Sequence, residues 1–132
     1  MQAAFDDAGQ TDPVERAVAC AHALRSWAID RPAEYNLVFT DQIPGYAAPP
    51  DAGTYDAEMA IFRPLPAAIG AVLGREVDPA PPPADPADAD APLAVFGMLH
   101  GLVSLEINHH LPRGGERERF ERVLRAALET LG

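Results

Sequence analysis

Lysine is absent from this chain, and ten arginines face twenty aspartates and glutamates, a formal net charge of −10 at pH 7. Nucleic-acid affinity comes from clustered basic side chains that displace counterions from phosphates, so this balance argues against direct DNA or RNA binding by the chain. Cysteine occurs once, at Cys20, which excludes an internal disulfide and leaves the thiol as a packing residue. No charged-then-apolar leader and no apolar run of about 18 residues stands out, so neither export nor a membrane span is expected and the cytoplasm is the expected location. The sequence also lacks a glycine-rich phosphate loop, a CxxC pair, an EF-hand loop and an HExxH helix, and no cofactor or metal is expected. No internal repeat or useful stretch of period-two alternation is found, which leaves helices as the building material.

The 132 residues are 48% hydrophobic and 23% charged, enough for one globular domain with a real core. Asp12 as N-cap and Pro13 at the first helical position start a helix whose apolar residues Val14, Ala17, Val18, Ala21, Leu24 and Ala28 recur at helical spacing. It should end near Asp30, because Pro32 disfavours helical geometry in Arg31. Pro32 then opens a short helix over 33–39 with Tyr35, Val38 and Phe39 on its apolar side. Residues 41–53 read as a turn-rich loop holding Ile43 and Tyr46. Thr54 can cap a third helix to about Leu73, bearing Met59, Ile61, Phe62, Leu65, Ile69, Val72 and Leu73, with a kink or break at Pro64 and Pro66 and an end at Gly74. Residues 75–92 carry six prolines and five acids in eighteen positions and are expected to be a mobile extended connector.

The fourth helix, 93 to about 111, is apolar on two sides. Phe96, His100, Val103 and Ile107 share one face, and Met98, Leu102 and Leu105 lie on the other. Such a helix must be covered twice, once by its own domain and once by another element or a second copy. Gly97 and Gly101 fall on one flank, where missing side chains admit a close backbone. The last helix, from about 116 to 131, places Phe120, Val123, Leu124, Ala127, Leu128 and Leu131 on one side. Glu118 with Arg122 and Glu121 with Arg125 stand at the supportive four-residue spacing on the outer side. Pro112, Gly114 and Gly115 make the turn between these helices, forcing an antiparallel hairpin.

Few residue groups suggest reaction chemistry. Glu106 with His109 or His110 offers two metal ligands without a third. Cys20 and His22 point to different faces, and His100 with Ser104 lacks an acid to complete a triad. What remains is a pocket. Trp27, Tyr35, Phe39, Tyr46, Phe62 and Phe96 come from separate elements and, with Met59 and His100, make an apolar lining with a few polar tips.

The stretches SWAIDRPAEYNLVFTDQIPGYAAPP, residues 26–50, and GMLHGLVSLEINHHL, residues 97–111, resemble the C-terminal domain of TetR/AcrR-family transcriptional regulators. The likeness is to the subgroup marked by a Trp and a later His-Gly pair, here Trp27, His100 and Gly101. It implies an all-α, non-enzymatic effector-binding and dimerisation domain over 12–132, receiving a small hydrophobic or aromatic effector among the eight lining residues named above. It also implies a homodimer through the last two helices, with Met98, Gly101, Leu102, Leu105, Phe120, Leu124 and Leu128 as interface residues. Residues 1–11, expected to be disordered or a remnant of a linking helix, resemble the tail of the helix that joins this domain to an N-terminal helix-turn-helix in the family, so DNA reading is expected from a head outside this chain or from a full-length partner. The alternative expectation is a ligand-free interaction module that pairs with itself or with a full-length regulator.

Overall fold

Local chemistry sets the helix ends in the computed structural model, which describes residues 12–40, 44–45, 64–74, 87 and 90–131. Helix α1, Pro13–Asp30, starts where the Asp12 carboxylate accepts from the Val14 amide at 2.9 Å, with the acidic cap at the positive end of the helix dipole. One residue, Arg31, separates it from α2, Pro32–Phe39, as the restriction that a proline places on its predecessor requires. Helix α3, Pro64–Val72, is followed by Gly74 at φ +65°, a left-handed conformation that glycine adopts without a Cβ clash. Helices α4, Asp90–Ile107, and α5, Glu116–Leu131, complete the five helices among the described residues, where no strand occurs. The chain is all-α.

The ends of α4 depart from expectation. Asp90, Ala91 and Pro92, read from sequence as connector, form its first turn, and Pro92 is buried. Proline is tolerated there because the first-turn amides have no intrahelical acceptor, and Asp90 complements the dipole. At the other end α4 stops at Ile107 rather than near 111. His109 takes φ +61°, its amide bonds the Glu106 carbonyl at 3.0 Å and the His110 amide bonds the Leu105 carbonyl at 2.8 Å. These paired bonds are a Schellman closure with histidine in the position glycine usually fills. Gly114 and Gly115, at φ +94° and +69°, then turn the chain into α5. Arg119 donates to the carbonyls of Pro112 and Gly114, and the Glu116 carboxylate accepts from the Gly114 amide at 2.7 Å. That last bond is the main reason the Glu116 carboxyl is held below its usual range.

The core sits between α1, α3, α4 and α5. It contains Ala17, Val18, Ala21, Leu24 and Ala28 from α1, and Leu65, Ala68 and Ile69 from α3. Helix α4 adds Val95, Leu99 and Val103, α5 adds Phe120, Leu124 and Leu128, and Tyr35 enters from α2. Each large side chain removed from water contributes about 1.5–3 kcal/mol, so the three-residue stripe on α4 is a principal stabiliser. Leu99, fully buried, belongs to neither face read from sequence for that helix. The inward side of α4 lies between those two faces, and Phe96, Met98, Leu102 and Ile107 flank it partly buried. Val38, expected on the apolar side of α2, is exposed.

By length and composition α4 is apolar enough to cross a membrane, with a mean hydropathy of 1.3 over its 18 residues. The sequence reading found no such run because Asp90, His100, Ser104 and Glu106 interrupt it; the average is carried by the aliphatic residues between them. In this fold the Val95–Leu99–Val103 stripe uses only part of that apolarity, since 22% of the helix is buried. The sequence assignments to 1–11, the loop residues Ile43 and Tyr46, the helix start at Thr54 and most of the 75–92 connector lie outside the described residues.

Candidate effector site

Tyr35 is the centre of the candidate site. Pro32 starts α2 immediately after α1, and that abrupt turn drives the Tyr35 ring into the core with no solvent exposure. Its hydroxyl lies 2.7 Å from His100 Nδ1 on α4. Burial pushes the phenol up to about 12, so Tyr35 is neutral at physiological pH.

Around this pair the other rings assemble. Phe39 is 4.8 Å and Trp27 6.0 Å from Tyr35, centroid to centroid. The Phe96 ring lies nearly parallel to the imidazole, at 22° and 6.0 Å, and Phe39 meets it edge-on at 5.8 Å. Such offset and tilted pairs add about 0.5–1.5 kcal/mol each beyond burial. Five of the eight lining residues read from sequence are thus brought together, from three helices: Trp27, Tyr35, Phe39, Phe96 and His100. Tyr46, Met59 and Phe62 lie outside the described residues. Trp27 is 37% exposed, so it borders the cluster rather than filling the core.

A cavity of about 340 Å³ lies elsewhere, lined by Ile29, Pro32, Glu106, Ile107, His109, Leu111, Arg113 and Glu116. It is formed where the α1–α2 junction faces the end of α4 and the turn into α5. None of the five clustered rings lines it, and sequence reading did not anticipate it, because its walls come from segments far apart along the chain.

The interface residues read from sequence separate into two groups. Phe120, Leu124 and Leu128 are packed into the chain's own core and have no side-chain surface left for a second copy. The α5 helix has one strongly apolar stripe, and the fold uses it internally. Met98 and Leu102 are partly buried against the same core. Leu105 is 43% and Leu93 65% exposed, and a Cβ added at Gly97 or Gly101 would meet nothing within 4 Å. An outer face of α4 carrying Leu93, Gly97, Gly101 and Leu105 is therefore open.

The polar ties between helices were not legible in sequence. Arg25 on α1 grips Glu106 on α4 with two bonds, Nη2–Oε1 at 2.5 Å and Nε–Oε2 at 2.9 Å, and the side chains are only 12% and 14% exposed. The same guanidinium lies over the Phe120 ring, 5.8 Å from its centroid. His22 bonds Glu121 at 3.0 Å, and Arg125 bridges Glu15 on α1 and Glu121 on α5. The Glu121 carboxyl is held below its usual range, first by His22 and then by Arg125, and Glu15 is held down by Arg125. The expected Glu121–Arg125 pair forms; Glu118 and Arg122 are exposed and make no ion pair among the described residues. These bonds also dispose of other groupings: Glu106 is taken by Arg25, away from the histidines, and His100 turns Nδ1 to Tyr35. Among the described residues no group of three His, Cys, Asp or Glu is placed to hold a metal ion.

The model of the tetracyclin repressor-like C-terminal domain matches residues 17–131. The chain belongs to this family. It is 47% identical over 34 residues to the HTH-type transcriptional regulator Rv1816 of Mycobacterium tuberculosis, and equally to the HTH-type transcriptional regulator Mb1846 of Mycobacterium bovis. Each match covers 26% of this chain and 14% of the relative, so the chain aligns with only a small part of those regulators. No solved structure matches it.

Proposed function

We propose that this TetR-like domain senses a small hydrophobic or aromatic effector and dimerises, as the non-enzymatic half of a cytoplasmic transcriptional regulator whose DNA-reading head lies outside this chain. The observation that carries the reading is the ring cluster: Trp27, Tyr35, Phe39 and Phe96, from three separate helices, gathered around one imidazole. A mostly apolar lining with a single polar tip is the usual build of a small-molecule site. An effector wedged between α2 and α4 would change how those helices pack, and a regulator uses such a shift to move its reading heads.

Thermal denaturation with a panel of neutral aromatic compounds tests it, since a ligand that binds only the folded state stabilises by RT ln(1 + [L]/Kd). At least one compound is expected to raise the melting temperature in wild type and not in Phe39→Ala. Retention of the effect in Phe39→Ala together with its loss in Ile107→Trp would move the site to the 340 Å³ cavity. No stabilisation by any compound would leave the second reading, a ligand-free dimerisation module.

That second reading, like the dimer in the first, is favoured by the open outer face of α4 with Leu93 and Leu105 exposed beside Gly97 and Gly101. Leu105→Glu is expected to yield a folded monomer in sedimentation velocity where wild type is a dimer. A Leu105→Glu protein that stays dimeric would reject this face.

A further inference from the structure

The Tyr35–His100 bond determines which nitrogen of the imidazole carries the proton, and through it the kind of effector the site accepts. Tyr35 is fully buried, and among the described residues its hydroxyl has one partner, His100 Nδ1. If Nδ1 carried the proton and donated, the buried phenolic proton would have no acceptor, an arrangement that native interiors avoid. With Tyr35 donating and Nδ1 accepting, both ends of this bond are satisfied, and in the neutral ring the proton then resides on Nε2. Among the described residues Nε2 has no hydrogen-bond partner, and no buried side-chain nitrogen or oxygen is left unpaired there. Nε2–H is therefore an accessible donor. The described rings against this imidazole are those of Tyr35, Phe39 and Phe96, and no arginine among the described residues is placed in the cluster. A carboxylate placed there would lose its hydration without gaining a cation from these residues, whereas a neutral carbonyl oxygen has far less hydration to lose and regains a hydrogen bond.

We propose that His100 Nε2–H is the recognition donor of the site and that the effector is a neutral aromatic compound presenting a hydrogen-bond acceptor, such as an aryl ketone, ester or quinone carbonyl, to it. Tyr35 is a positioning residue that holds the tautomer and need not touch the ligand. The proposal rests on the effector-site reading above and specifies its ligand chemistry.

Two measurements test it and keep the two ideas apart. Long-range 15N–1H correlation of the histidine rings at pH 8, with His100→Gln for assignment, should show a protonated Nε2 and an unprotonated Nδ1 at His100. A protonated Nδ1 overturns the proposal with no ligand involved. Titrations with 2-acetylnaphthalene, its acceptor-free analogue 2-ethylnaphthalene and 2-naphthoate then read the specificity. The ketone is expected to bind at least tenfold tighter than either, and the gap is expected to collapse in His100→Phe and to shrink in Tyr35→Phe, which keeps the buried ring. Equal binding of ketone and hydrocarbon, or preference for the carboxylate, overturns the donor assignment and leaves the effector reading standing. Binding of none of the three, with Nε2 protonated, counts against the effector reading itself and takes the ligand proposal down with it.

Discussion

Replacing Glu106 with leucine strands the Arg25 guanidinium between α1, α4 and the Phe120 ring, and the cost follows from the geometry. At 2.5 and 2.9 Å the two charges attract by roughly 6 kcal/mol at an effective dielectric of about 20, and desolvation of both side chains offsets much of that gain. Removing one partner keeps the desolvation and forfeits the attraction. The usual cost is about 3–5 kcal/mol, and the residual exposure of 12% and 14% places this pair near 3. Arg25→Met should cost about the same, since it leaves Glu106 unpaired. The double variant removes both charges and their desolvation together, so it is expected within about 1 kcal/mol of wild type rather than the roughly 6 that additivity would give. The distinction is easy to read, because a domain of this size has about 5–15 kcal/mol in total. Urea unfolding followed by far-ultraviolet circular dichroism, at one pH and one protein concentration, supplies all four corners of the cycle. Single variants that each lose less than 1 kcal/mol, or a double variant that loses their sum, would refute the account of α1–α4 coupling.

Three other outcomes are expected. Leu99→Ala should cost about 3 kcal/mol in the same urea assay and Leu93→Ala no more than about 0.5; similar losses would mean that the inward stripe of α4 is misplaced. Raising the pH from 10 to 12 should destabilise wild type more than Tyr35→Phe. The unfolded phenol ionises near 10 while the folded one is pushed up to about 12, so the unfolded state binds fewer protons in that window and up to about 2.7 kcal/mol is lost across it. Parallel pH profiles for the two proteins would contradict the burial of the hydroxyl. His109→Gly should raise stability by up to about 1 kcal/mol by relieving the left-handed backbone at φ +61°, as measured by urea midpoint; a loss would show that the imidazole contributes more than its strain costs.

Which parts of this molecule could be read from the chain follows from how far each cause reaches. Asp12 and Pro13, Arg31 before Pro32, Gly74, and Gly114 with Gly115 act through bonds and clashes within one turn, so helix boundaries at those points were legible. The boundaries that moved are the two ends of α4. Pro92 satisfies both a connector and a first turn, and His109 closes the helix in a position where sequence offers no glycine. The cluster of Trp27, Tyr35, Phe39, Phe96 and His100 was legible as a set, through residue type and the family resemblance. Its Tyr35–His100 bond was not.

The sequence alone determined helical class, charge, helix periodicity and family, because composition and turn-by-turn spacing are sufficient for each. The tertiary structure alone decided which side of α4 faces inward, since the helix is apolar almost all round and the choice depends on where α1, α3 and α5 lie. It also withdrew Phe120, Leu124 and Leu128 from the outer surface. And it paired Arg25 with Glu106, His22 with Glu121 and Arg125 with Glu15 across 81, 99 and 110 residues, because long-range partners are selected by the packing of whole helices and leave no local trace in the chain.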